Sequence, residues 1–462
     1  MTQIPFSSLN LHTDLLENLS TLGYTAMTAI QQESLPPILE GKDVIAQGKT
    51  GSGKTAAFGL GLLQKLDVKR FRIQSLVLCP TRELADQVAT ELRKLGRGIH
   101  NIKILTLCGG MPFGPQVGSL EHGAHVIVGT PGRIEDHLKR GTLRLDDVNL
   151  LVLDEADRML DMGFQETLDK VIEQIPAQRQ TLLFSATFPP QIQKISNRIM
   201  INPVMVKVAS THDHATIEQH FYKVQDDNQR FLGLRLLLMH FNPESSLVFC
   251  NTKRETQEVA DQLSAYGFSA LALHGDLEQR DRDQTLIRFS NKSASVLVAT
   301  DVAARGLDID SLDAVINYHI AHDVEGHVHR IGRTGRAGSK GIACSLYSEK
   351  ESYRVALLET NIDPILDSEP LPPQSLLDKP AMKPAMVTLQ IDGGKKQKVR
   401  AGDILGALTG DKGIEGKQVG KINIADNWSY VAVSQKVSRQ ALSKLTEGKL
   451  KGRSFRVRLI QS

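Results

Sequence analysis

Two short segments in the first third of the chain contain residue types that handle phosphate and metal ions. Residues 48–55 read GKTGSGKT, which matches the pattern G-x-x-x-x-G-K-T, and they follow the apolar run VIAQ. Glycines in such a loop let backbone N–H groups surround phosphate oxygens at the positive end of the next helix. The pattern predicts a nucleotide-phosphate site, and the alternative is a glycine turn that only caps a helix. The residues predicted to contact the nucleotide are Gly48, Lys49, Thr50, Gly51, Ser52, Gly53, Lys54 and Thr55.

The second segment is an acidic turn. Residues 154–157 read DEAD and directly follow the apolar run LLVL. A carboxylate at the end of a strand can hold Mg²⁺, so we assign Asp154 and the hydroxyl of Thr55 to the metal, partly through water. Glu155 is placed to orient and deprotonate an attacking water, and Lys54 to reach the β- and γ-phosphates. A solvated turn is the alternative, and the phosphate loop about 100 residues earlier disfavours it.

These turns require strands and helices to position them. Short apolar runs bounded by loops alternate with longer helical stretches, as in parallel sheets that are covered on both faces. Four such runs lie in the first half of the chain and four in the second, which predicts two α/β domains. The runs are 75–80, 125–131, 150–157, 181–187, 246–252, 270–276, 295–301 and 314–320. The polar stretch 207–216 is the predicted joint between the two domains.

The last part of the chain differs in composition. Six prolines between 361 and 386 predict an extended linker. The pattern β-α-β-β-α-β follows it, as in a small ferredoxin-like sheet. Residues 381–462 contain 16 Lys and Arg against 6 Asp and Glu, so this tail has a net charge of +10 within a chain of net charge +3. Such a tail favours a polyanionic partner, and a solvated basic surface is the alternative.

The motifs together resemble those of DEAD-box RNA helicases. The phosphate loop and DEAD turn are joined by PTREL at 80–84, GG at 109–110, TPGR at 130–133 and SAT at 185–187. Further along lie NT at 251–252, Gln279-x-x-Arg282, ATDVAARGLDI at 299–309 and HRIGRTGR at 329–336. The family resemblance implies two RecA-like domains and an ATP-dependent RNA helicase with Mg²⁺ as cofactor. The sequence has no phosphate-loop pattern other than residues 48–55. One ATP is therefore expected per chain, and a monomer suffices to form the complete site.

The resemblance also implies residue roles. Phe6 and Gln31 are expected to contact adenine, Asp308 to hold the ribose, and Arg333 and Arg336 to act as arginine fingers that neutralise charge on the transferred phosphoryl group. Contacts with the RNA sugar–phosphate chain are expected without base reading. The core residues expected to make them are Arg82, Gly110, Thr130, Arg133, Thr252, Gln279, Arg282 and Thr300.

The tail partly resembles an RNA recognition motif (RRM). Trp428 and Tyr430 are two residues apart, so they would share one face of a strand as base-stacking residues do. The first strand of the tail, VTLQI, has no aromatic residue, so we expect basic side chains to contribute more than stacking. The basic residues assigned to RNA are Lys395, Lys396, Lys398, Arg400, Lys449, Lys451 and Arg453. The bacterial members of the family with such a tail imply a 23S ribosomal RNA hairpin as target and a role in assembly of the 50S subunit.

The predicted organisation is therefore an α/β chain of two tandem RecA-like parallel-sheet domains and a small α+β RRM-like domain. The boundaries are 1–207 and 217–362 for the two RecA-like domains, 363–384 for the linker and 385–462 for the tail. Neither a secretory signal nor a membrane-spanning run is apparent, which predicts a cytoplasmic protein without a membrane partner. An ATP-gated RNA clamp, a binding protein with a vestigial ATPase and a DNA translocase are the rival functions.

Overall fold

The alternation of strands and helices seen in the sequence is present in the computed structural model of the chain. The structure describes residues 4–48, 51–208, 217–304, 312–335, 340–361, 368–410, 413–450 and 452–460. The chain divides into two compact units, one with the first sheet and the other with the second and third sheets.

The first unit contains a parallel seven-stranded sheet in the order β3-β4-β2-β5-β6-β1-β7. Its strands are β1 (Val44–Gln47), β2 (Ser75–Leu78), β3 (Ile104–Leu107), β4 (Val126–Gly129), β5 (Leu150–Asp154), β6 (Gln180–Ser185) and β7 (Val204–Lys207). Its helices are α1 (Thr13–Thr21), α2 (Ala29–Leu39), α3 (Lys54–Lys65), α4 (Arg82–Leu95), α5 (Phe113–Glu121), α6 (Pro131–Lys139), α7 (Ala156–Asp161), α8 (Gln165–Ile172) and α9 (Pro190–Ile199).

The strands of this sheet are buried on both faces, which explains their continuous apolar runs. Along β2, Val77 lies in one hydrophobic core and Leu76 in the other, and Val152 and Leu151 of β5 divide in the same way. Helices cover both faces because each face is apolar. The predicted strands at 75–80, 125–131, 150–157 and 181–187 are confirmed.

The second unit repeats this architecture in the order β10-β11-β9-β12-β13-β8-β14, again with parallel pairs. Its strands are β8 (Ile217–Val224), β9 (Ser246–Cys250), β10 (Ala270–Leu273), β11 (Val296–Thr300), β12 (Ala314–Asn317), β13 (Gly341–Ser348) and β14 (Ser368–Glu369). Its helices are α10 (Asp227–Phe241), α11 (Lys253–Ala265), α12 (Gln279–Ser290), α13 (Asp301–Ala304), α14 (Val324–Ile331) and α15 (Ser352–Asn361). The two RecA-like sheets predicted from the sequence are thus confirmed.

A four-stranded antiparallel sheet in the order β16-β17-β15-β18 forms the C-terminal domain. Its elements are β15 (Met386–Ile391), α16 (Ala401–Thr409), β16 (Val419–Ile424), β17 (Ser429–Ser434), α17 (Ser438–Glu447) and β18 (Val457–Ile460). The order β-α-β-β-α-β is the predicted one. One sheet face packs on both helices, since Leu389, Val431, Ile404 and Leu445 share a core.

Side-chain caps begin several of the helices that follow functional turns. The hydroxyls of Thr81 and Thr252 accept hydrogen bonds from backbone N–H groups of α4 and α11, and the carboxylate of Asp323 does so at α14. Such caps satisfy donors that have no partner within the helix. They fix where each helix starts, and so they fix the turn before it.

The proline-bearing segment is not a free linker in its described part. Ser368 and Glu369 form β14, which pairs with β8 at the sheet edge. The Glu369 carboxylate accepts a hydrogen bond from His220 Nδ1 at 2.7 Å, and Leu371 packs against the core of the second sheet. Prolines are tolerated beside an edge strand because no ladder hydrogen bond is lost there. The predicted joint falls mostly at 209–216, outside the described residues.

The second face of the C-terminal sheet packs against α12 and the turn after it. The Thr388 hydroxyl is fully buried and lies 2.7 Å from the Ser293 hydroxyl and 3.3 Å from Asn291 Nδ2. Lys421 Nζ donates to the Ser290 hydroxyl at 2.9 Å, and the Arg280 guanidinium lies over the Trp428 ring. The C-terminal domain is therefore docked on the second sheet domain through a partly polar contact.

In the described part of the chain, no helix is long and apolar enough to cross a membrane. Within the same residues, no group of three or more His, Cys, Asp or Glu side chains is arranged to hold a metal ion.

The docked contact leads to a testable prediction. Thr388→Val keeps the side-chain volume but leaves Asn291 and Ser293 without their hydroxyl partner in a buried place. We expect the free energy that stabilises docking of the C-terminal domain to fall by about 1–3 kcal/mol, because a buried polar group without a partner costs that much. Trp428 is the single tryptophan of the chain, so its fluorescence in a urea titration reports on this contact.

Thr446→Val is the matched control, since the exposed Thr446 hydroxyl bonds only to the Leu442 carbonyl within its own helix. The fluorescence midpoint of Thr388→Val should fall to a lower urea concentration than that of the control. Equal midpoints in the two variants would show that the Thr388 hydroxyl contributes nothing to docking.

Candidate nucleotide site and RNA-contact surface

The phosphate loop joins β1 to α3, and Lys54 is the first residue of that helix. Gly53 has a φ of 94°, a left-handed conformation that L-residues rarely adopt. The Lys54 ammonium is buried and donates a hydrogen bond to the Gly48 carbonyl at 2.8 Å. A buried ammonium at a helix start is suited to phosphate oxygens, which are stronger acceptors than a carbonyl. Lys49 and Thr50 lie outside the described residues.

Gln31 lies directly against the phosphate loop. Its amide nitrogen donates to the Gly53 carbonyl at 3.1 Å, and its amide oxygen accepts from the Thr28 backbone N–H at 2.8 Å. The Thr28 hydroxyl in turn donates to the Ser52 carbonyl at 2.8 Å. A Cβ at Gly53 would lie 2.5 Å from the Gln31 nitrogen, so only glycine allows this approach. The structure therefore joins the predicted adenine-reading residue to the predicted phosphate-binding residues.

Phe6 has a different environment from the one that a stacking role suggests. Its ring is 3% exposed and packs edge-on against the Tyr24 ring, with the ring centroids 6.0 Å apart. The backbone N–H of Met27 donates to the Ile4 carbonyl, which ties the segment around Phe6 to the turn before α2. Adenine contact by Phe6 stays a prediction.

Asp154 ends β5 and is buried. Burial raises the pKa of its carboxyl to about 7, Lys54 opposes the rise, and the neighbouring Glu155 adds to it. Its Oδ1 has no hydrogen-bond partner among the described residues. A buried carboxylate oxygen without a partner, at a strand end near the Lys54 ammonium, fits a hard cation such as Mg²⁺. Asp154 and Thr55 are the residues that would hold it.

Glu155 adopts a left-handed conformation, with φ 52° and ψ 51°, at the start of α7. A non-glycine residue in this region is strained, and such strain concentrates at functional sites. Its Oε2 accepts a hydrogen bond from Arg158 Nη1 at 2.6 Å, and both side chains are 5% exposed. The buried ion pair sets the direction of the Glu155 carboxylate.

Asp157 connects the acidic turn to the SAT motif. Its Oδ2 accepts hydrogen bonds from the Thr187 N–H and hydroxyl, both at 2.9 Å, and from the Ala186 N–H at 3.2 Å. The Ser185 hydroxyl accepts from the Asp157 N–H. Burial works to raise the pKa of the Asp157 carboxyl, and the hydrogen bonds from Thr187 lower it below its usual value. Asp157 was not among the predicted site residues, although it is the last letter of the DEAD motif.

Three of the predicted RNA-contact motifs of the first unit meet at Met111. Arg133 Nη1 donates to the Met111 carbonyl at 3.0 Å, and Arg82 Nη2 lies 3.2 Å from the Met111 sulfur. Gly110 immediately precedes Met111 and is exposed, and Thr130 starts the helix that bears Arg133. The structure thus brings together Arg82, Gly110, Thr130 and Arg133 from separate loops.

In the second unit, Arg282 joins two of the predicted motifs. Its Nη2 donates to the Ala303 carbonyl at 3.0 Å, and the Ala303 N–H donates to the Thr300 hydroxyl at 3.3 Å. Gln279 donates to Asp283 on the same helix, and Thr252 caps α11. Gln279, Arg282 and Thr300 therefore lie at the ends of neighbouring elements, and Thr252 lies at the end of β9.

The buried Arg330 forms an ion pair with the partly exposed Asp301, and the sequence did not single out this pair. Arg330 Nε and Nη2 donate to the two Asp301 carboxylate oxygens at 2.7 and 2.6 Å. The pair joins the helix that precedes Arg333 to the turn after β11. Both residues lie inside motifs quoted from the sequence, so their position in those motifs was the available signal. Arg333 is 4% exposed, and Arg336 and Asp308 lie outside the described residues.

The aromatic residues assigned to RNA in the tail require a correction. Tyr430 is 2% exposed, because its sheet face is the one that packs on α12. Trp428 precedes β17, is half-buried and has the Arg280 guanidinium 5.1 Å from its ring centre. Tyr430 cannot stack on a base while the sheet is docked. The sequence pattern could not show what covers the face of β17 that bears Tyr430.

The basic residues of the tail are exposed and lie on adjoining segments. Lys395, Lys396, Lys398 and Arg400 follow β15, and Lys449 and Arg453 lie before β18. The Phe455 ring packs directly on Gly393, where a Cβ would lie 2.5 Å from it, so the two basic segments meet. Lys451 lies outside the described residues. Exposed cations grouped in this way are typical of a phosphate-binding surface.

Comparisons with known proteins agree with this arrangement. The DEAD/DEAH box helicase model matches residues 28–195, the helicase conserved C-terminal domain model matches residues 229–338, and the DbpA RNA binding domain model matches residues 388–459. The ATP-dependent RNA helicase DbpA of Escherichia coli strain K12 is 55% identical over 457 residues, with 99% of each chain covered. Its namesake from Bacillus subtilis strain 168 is 37% identical, with 98% of each chain covered.

Solved structures are similar across the two parallel-sheet domains. Dbp5 of S. cerevisiae bound to RNA and ADP BeF3 has a TM-score of 0.72 and 30% identity, and the match covers 82% of this chain and 100% of that one. Mss116p bound to ssRNA and AMP-PNP has a TM-score of 0.73 and 26% identity, with 81% of each chain covered. The ordered motifs, the three matched models and the full-length relatives place the chain in the family of DEAD-box ATP-dependent RNA helicases, in the group that has a DbpA RNA-binding domain.

Proposed function

We propose that this RNA helicase uses Mg²⁺ with ATP to separate short RNA duplexes, and that its C-terminal domain directs it to a hairpin of 23S ribosomal RNA during assembly of the 50S subunit in the cytoplasm. The observation with most weight is the hydrogen bonding of Asp157, which links the acidic turn to the SAT motif. The RNA target rests on the resemblance of the tail and on its grouped cations.

The nucleotide is held by residues of the first sheet. Lys54 binds the β- and γ-phosphates, and Gln31 contacts adenine with the donor and acceptor of its amide. Gln31 and the phosphate loop share hydrogen bonds in this structure, so adenine recognition alters the loop that holds the phosphates. Asp154 and Thr55 would hold Mg²⁺, which would supply positive charge to neutralise the phosphates.

Hydrolysis requires a base beside the attacking water. Glu155 accepts the water proton while the new P–O bond forms and the bond to ADP breaks. The Arg158 ion pair holds the Glu155 carboxylate in one orientation. By the family resemblance, Arg333 and Arg336 neutralise charge on the transferred phosphoryl oxygens.

RNA is gripped by its backbone in the core and selected by the tail. Arg82 and Arg133 in the first unit, and Gln279 and Arg282 in the second, contact sugar and phosphate groups, which bear no sequence information. Because the sheet face of the tail is docked on α12, the exposed lysines and arginines near Phe455 make the selective contact. A hairpin offers such cations a closely spaced array of phosphates.

The assignment of Glu155 predicts the behaviour of Glu155→Gln. The amide cannot accept the water proton, so steady-state ATP hydrolysis should fall by about 100-fold or more, while ATP and RNA still bind. Turnover is measured by phosphate release, and binding by titration with labelled nucleotide and labelled RNA.

Two controls belong to this experiment. The exposed Glu166→Gln on α8 makes the same chemical change in the same unit and should leave turnover unchanged. A thermal melt is needed because the variant places a neutral amide against the buried Arg158. Normal phosphate release by a folded Glu155→Gln protein would refute the role of Glu155 as base.

The role of the tail predicts the effect of removing two cations. Lys395→Ala with Lys396→Ala should weaken binding of a 23S hairpin and reduce the slope of log affinity against log salt by roughly 1–2, since each phosphate contact adds nearly one unit. ATP hydrolysis stimulated by the hairpin should then resemble that stimulated by unstructured RNA. Point substitutions are preferable to deletion of the domain, which would uncover the buried polar groups of α12.

The matched control is Lys436→Ala with Arg439→Ala. This double variant also removes two exposed cations from the same domain. Lys436 lies just before α17 and Arg439 lies on it, away from the residues assigned to RNA. Equal losses in the two double variants would mean that the domain attracts RNA only by its net charge, and the proposed surface would be rejected.

A further inference from the structure

A histidine in the second unit lies between two carboxylates. His319 follows β12, and its Nε2 lies 2.6 Å from Glu255 Oε1 at the start of α11. Its Nδ1 lies 3.3 Å from Glu351 Oε1, in the short turn after β13. The His319 side chain is 17% exposed, so water screens these contacts only in part.

This geometry requires the charged form of the ring. A neutral imidazole has one N–H and can donate to one carboxylate, whereas an imidazolium donates to both. Burial lowers the pKa of His319, but the hydrogen bonds to Glu255 and Glu351 outweigh burial, and the pKa is raised above its usual value of 6.5. Burial works to raise the pKa of each carboxyl, but His319 together with backbone N–H groups and Arg230 lowers it below its usual value.

The surrounding charges are balanced when the ring is protonated. Arg230 of α10 donates to Glu351 Oε2 at 2.5 Å and to the Tyr318 carbonyl. Its charge opposes protonation of His319, and Glu255 and Glu351 favour it. Arg330 of α14 donates to the His319 carbonyl at 2.7 Å, and Asp301 neutralises Arg330. Loss of the His319 proton would leave Glu255 and Glu351 opposite Arg230 alone.

The same histidine links two functional segments. Glu255 Oε2 accepts from the Asn251 backbone N–H at 3.2 Å, and the Glu255 N–H donates to the Thr252 hydroxyl at 3.2 Å. The ring of His319 therefore fixes the side chain that holds the 251–252 turn. Its backbone carbonyl accepts from Arg330, whose helix precedes Arg333.

We propose that His319 is a positioning residue, a cationic bridge that holds the Asn251–Thr252 turn in place for RNA relative to the helix that precedes the arginine finger. The inference rests on the proposed RNA contact of Thr252 and adds the residue that orients it. His319 itself contacts neither RNA nor nucleotide in this scheme. Because its pKa is raised, the bridge is complete at low pH and is lost as the pH rises through a value above 6.5.

The test is RNA-stimulated ATP hydrolysis of the full chain with His319→Gln. The amide cannot donate to both carboxylates, so the RNA concentration for half-maximal stimulation should rise roughly fivefold to tenfold, the scale of one lost hydrogen bond. The rate at saturating RNA should stay within about twofold, because the phosphate loop and Glu155 are untouched. His319→Lys, which restores the charge, should recover much of the RNA affinity.

The pH profile separates positioning from general stability. In the wild type the half-maximal RNA concentration should increase as the pH rises past the His319 pKa, and in His319→Gln it should not change with that titration. His240→Gln, an exposed histidine on α10, should behave as the wild type does. An unchanged RNA requirement in His319→Gln, or the same pH profile in both proteins, would overturn the bridge.

Thr252→Ala distinguishes the two levels of the proposal. If Thr252→Ala weakens RNA binding and His319→Gln does not, the turn contacts RNA and only the bridge is wrong. If Thr252→Ala binds RNA as the wild type does, the RNA role of the turn fails and the bridge fails with it.

Discussion

Parallel strands end at the same edge of a sheet, and this constraint places nearly every functional turn of the chain. Asp154 ends β5, Ser185 ends β6, and the phosphate loop follows β1. Because β5, β6 and β1 are neighbours in the first sheet, the Gly48 N–H donates to the Ser185 carbonyl at 3.0 Å although the two residues are 137 positions apart. The same rule brings the ends of β9, β11 and β12 together in the second sheet. The helices and their caps then fix the direction of each turn.

Several charged groups at these sheet edges are buried beside a compensating partner. A charge removed from water is costly unless a partner compensates it. Asp157 is compensated by the hydrogen bonds from Thr187, Glu155 by Arg158, and Arg330 by Asp301. The Asp157–Thr187 and Arg330–Asp301 pairs each join two loops that belong to different motifs, whereas Glu155 and Arg158 lie in the same turn. The pairs therefore hold the motifs in register, and a change at one motif is transmitted to its partner through a single side chain.

The C-terminal domain shows how packing can reverse a role suggested by composition. An RRM-like sheet with an aromatic strand predicts an open face for bases, but here that face packs on α12 through Thr388 and Tyr430. With that face covered, the proposed RNA-contact surface of the tail is the group of exposed cations around Phe455. It also places the tail beside Gln279 and Arg282, since these residues lie on the helix that receives the sheet. The RNA contacts proposed for the tail and for the second unit therefore meet at one structural element, α12.

The sequence by itself determined the two parallel sheets, the small antiparallel sheet and the identity of the phosphate loop and acidic turn. It could do so because strand burial, glycine loops and strand-end carboxylates are local patterns with direct physical causes. Tertiary structure decided what each side chain meets. Gln31 against Gly53, Asp157 against Thr187 and His319 between Glu255 and Glu351 join residues from 22 to 64 positions apart in sequence. The burial of Tyr430 has the same origin, because a strand pattern specifies which residues share a face but not what packs against it.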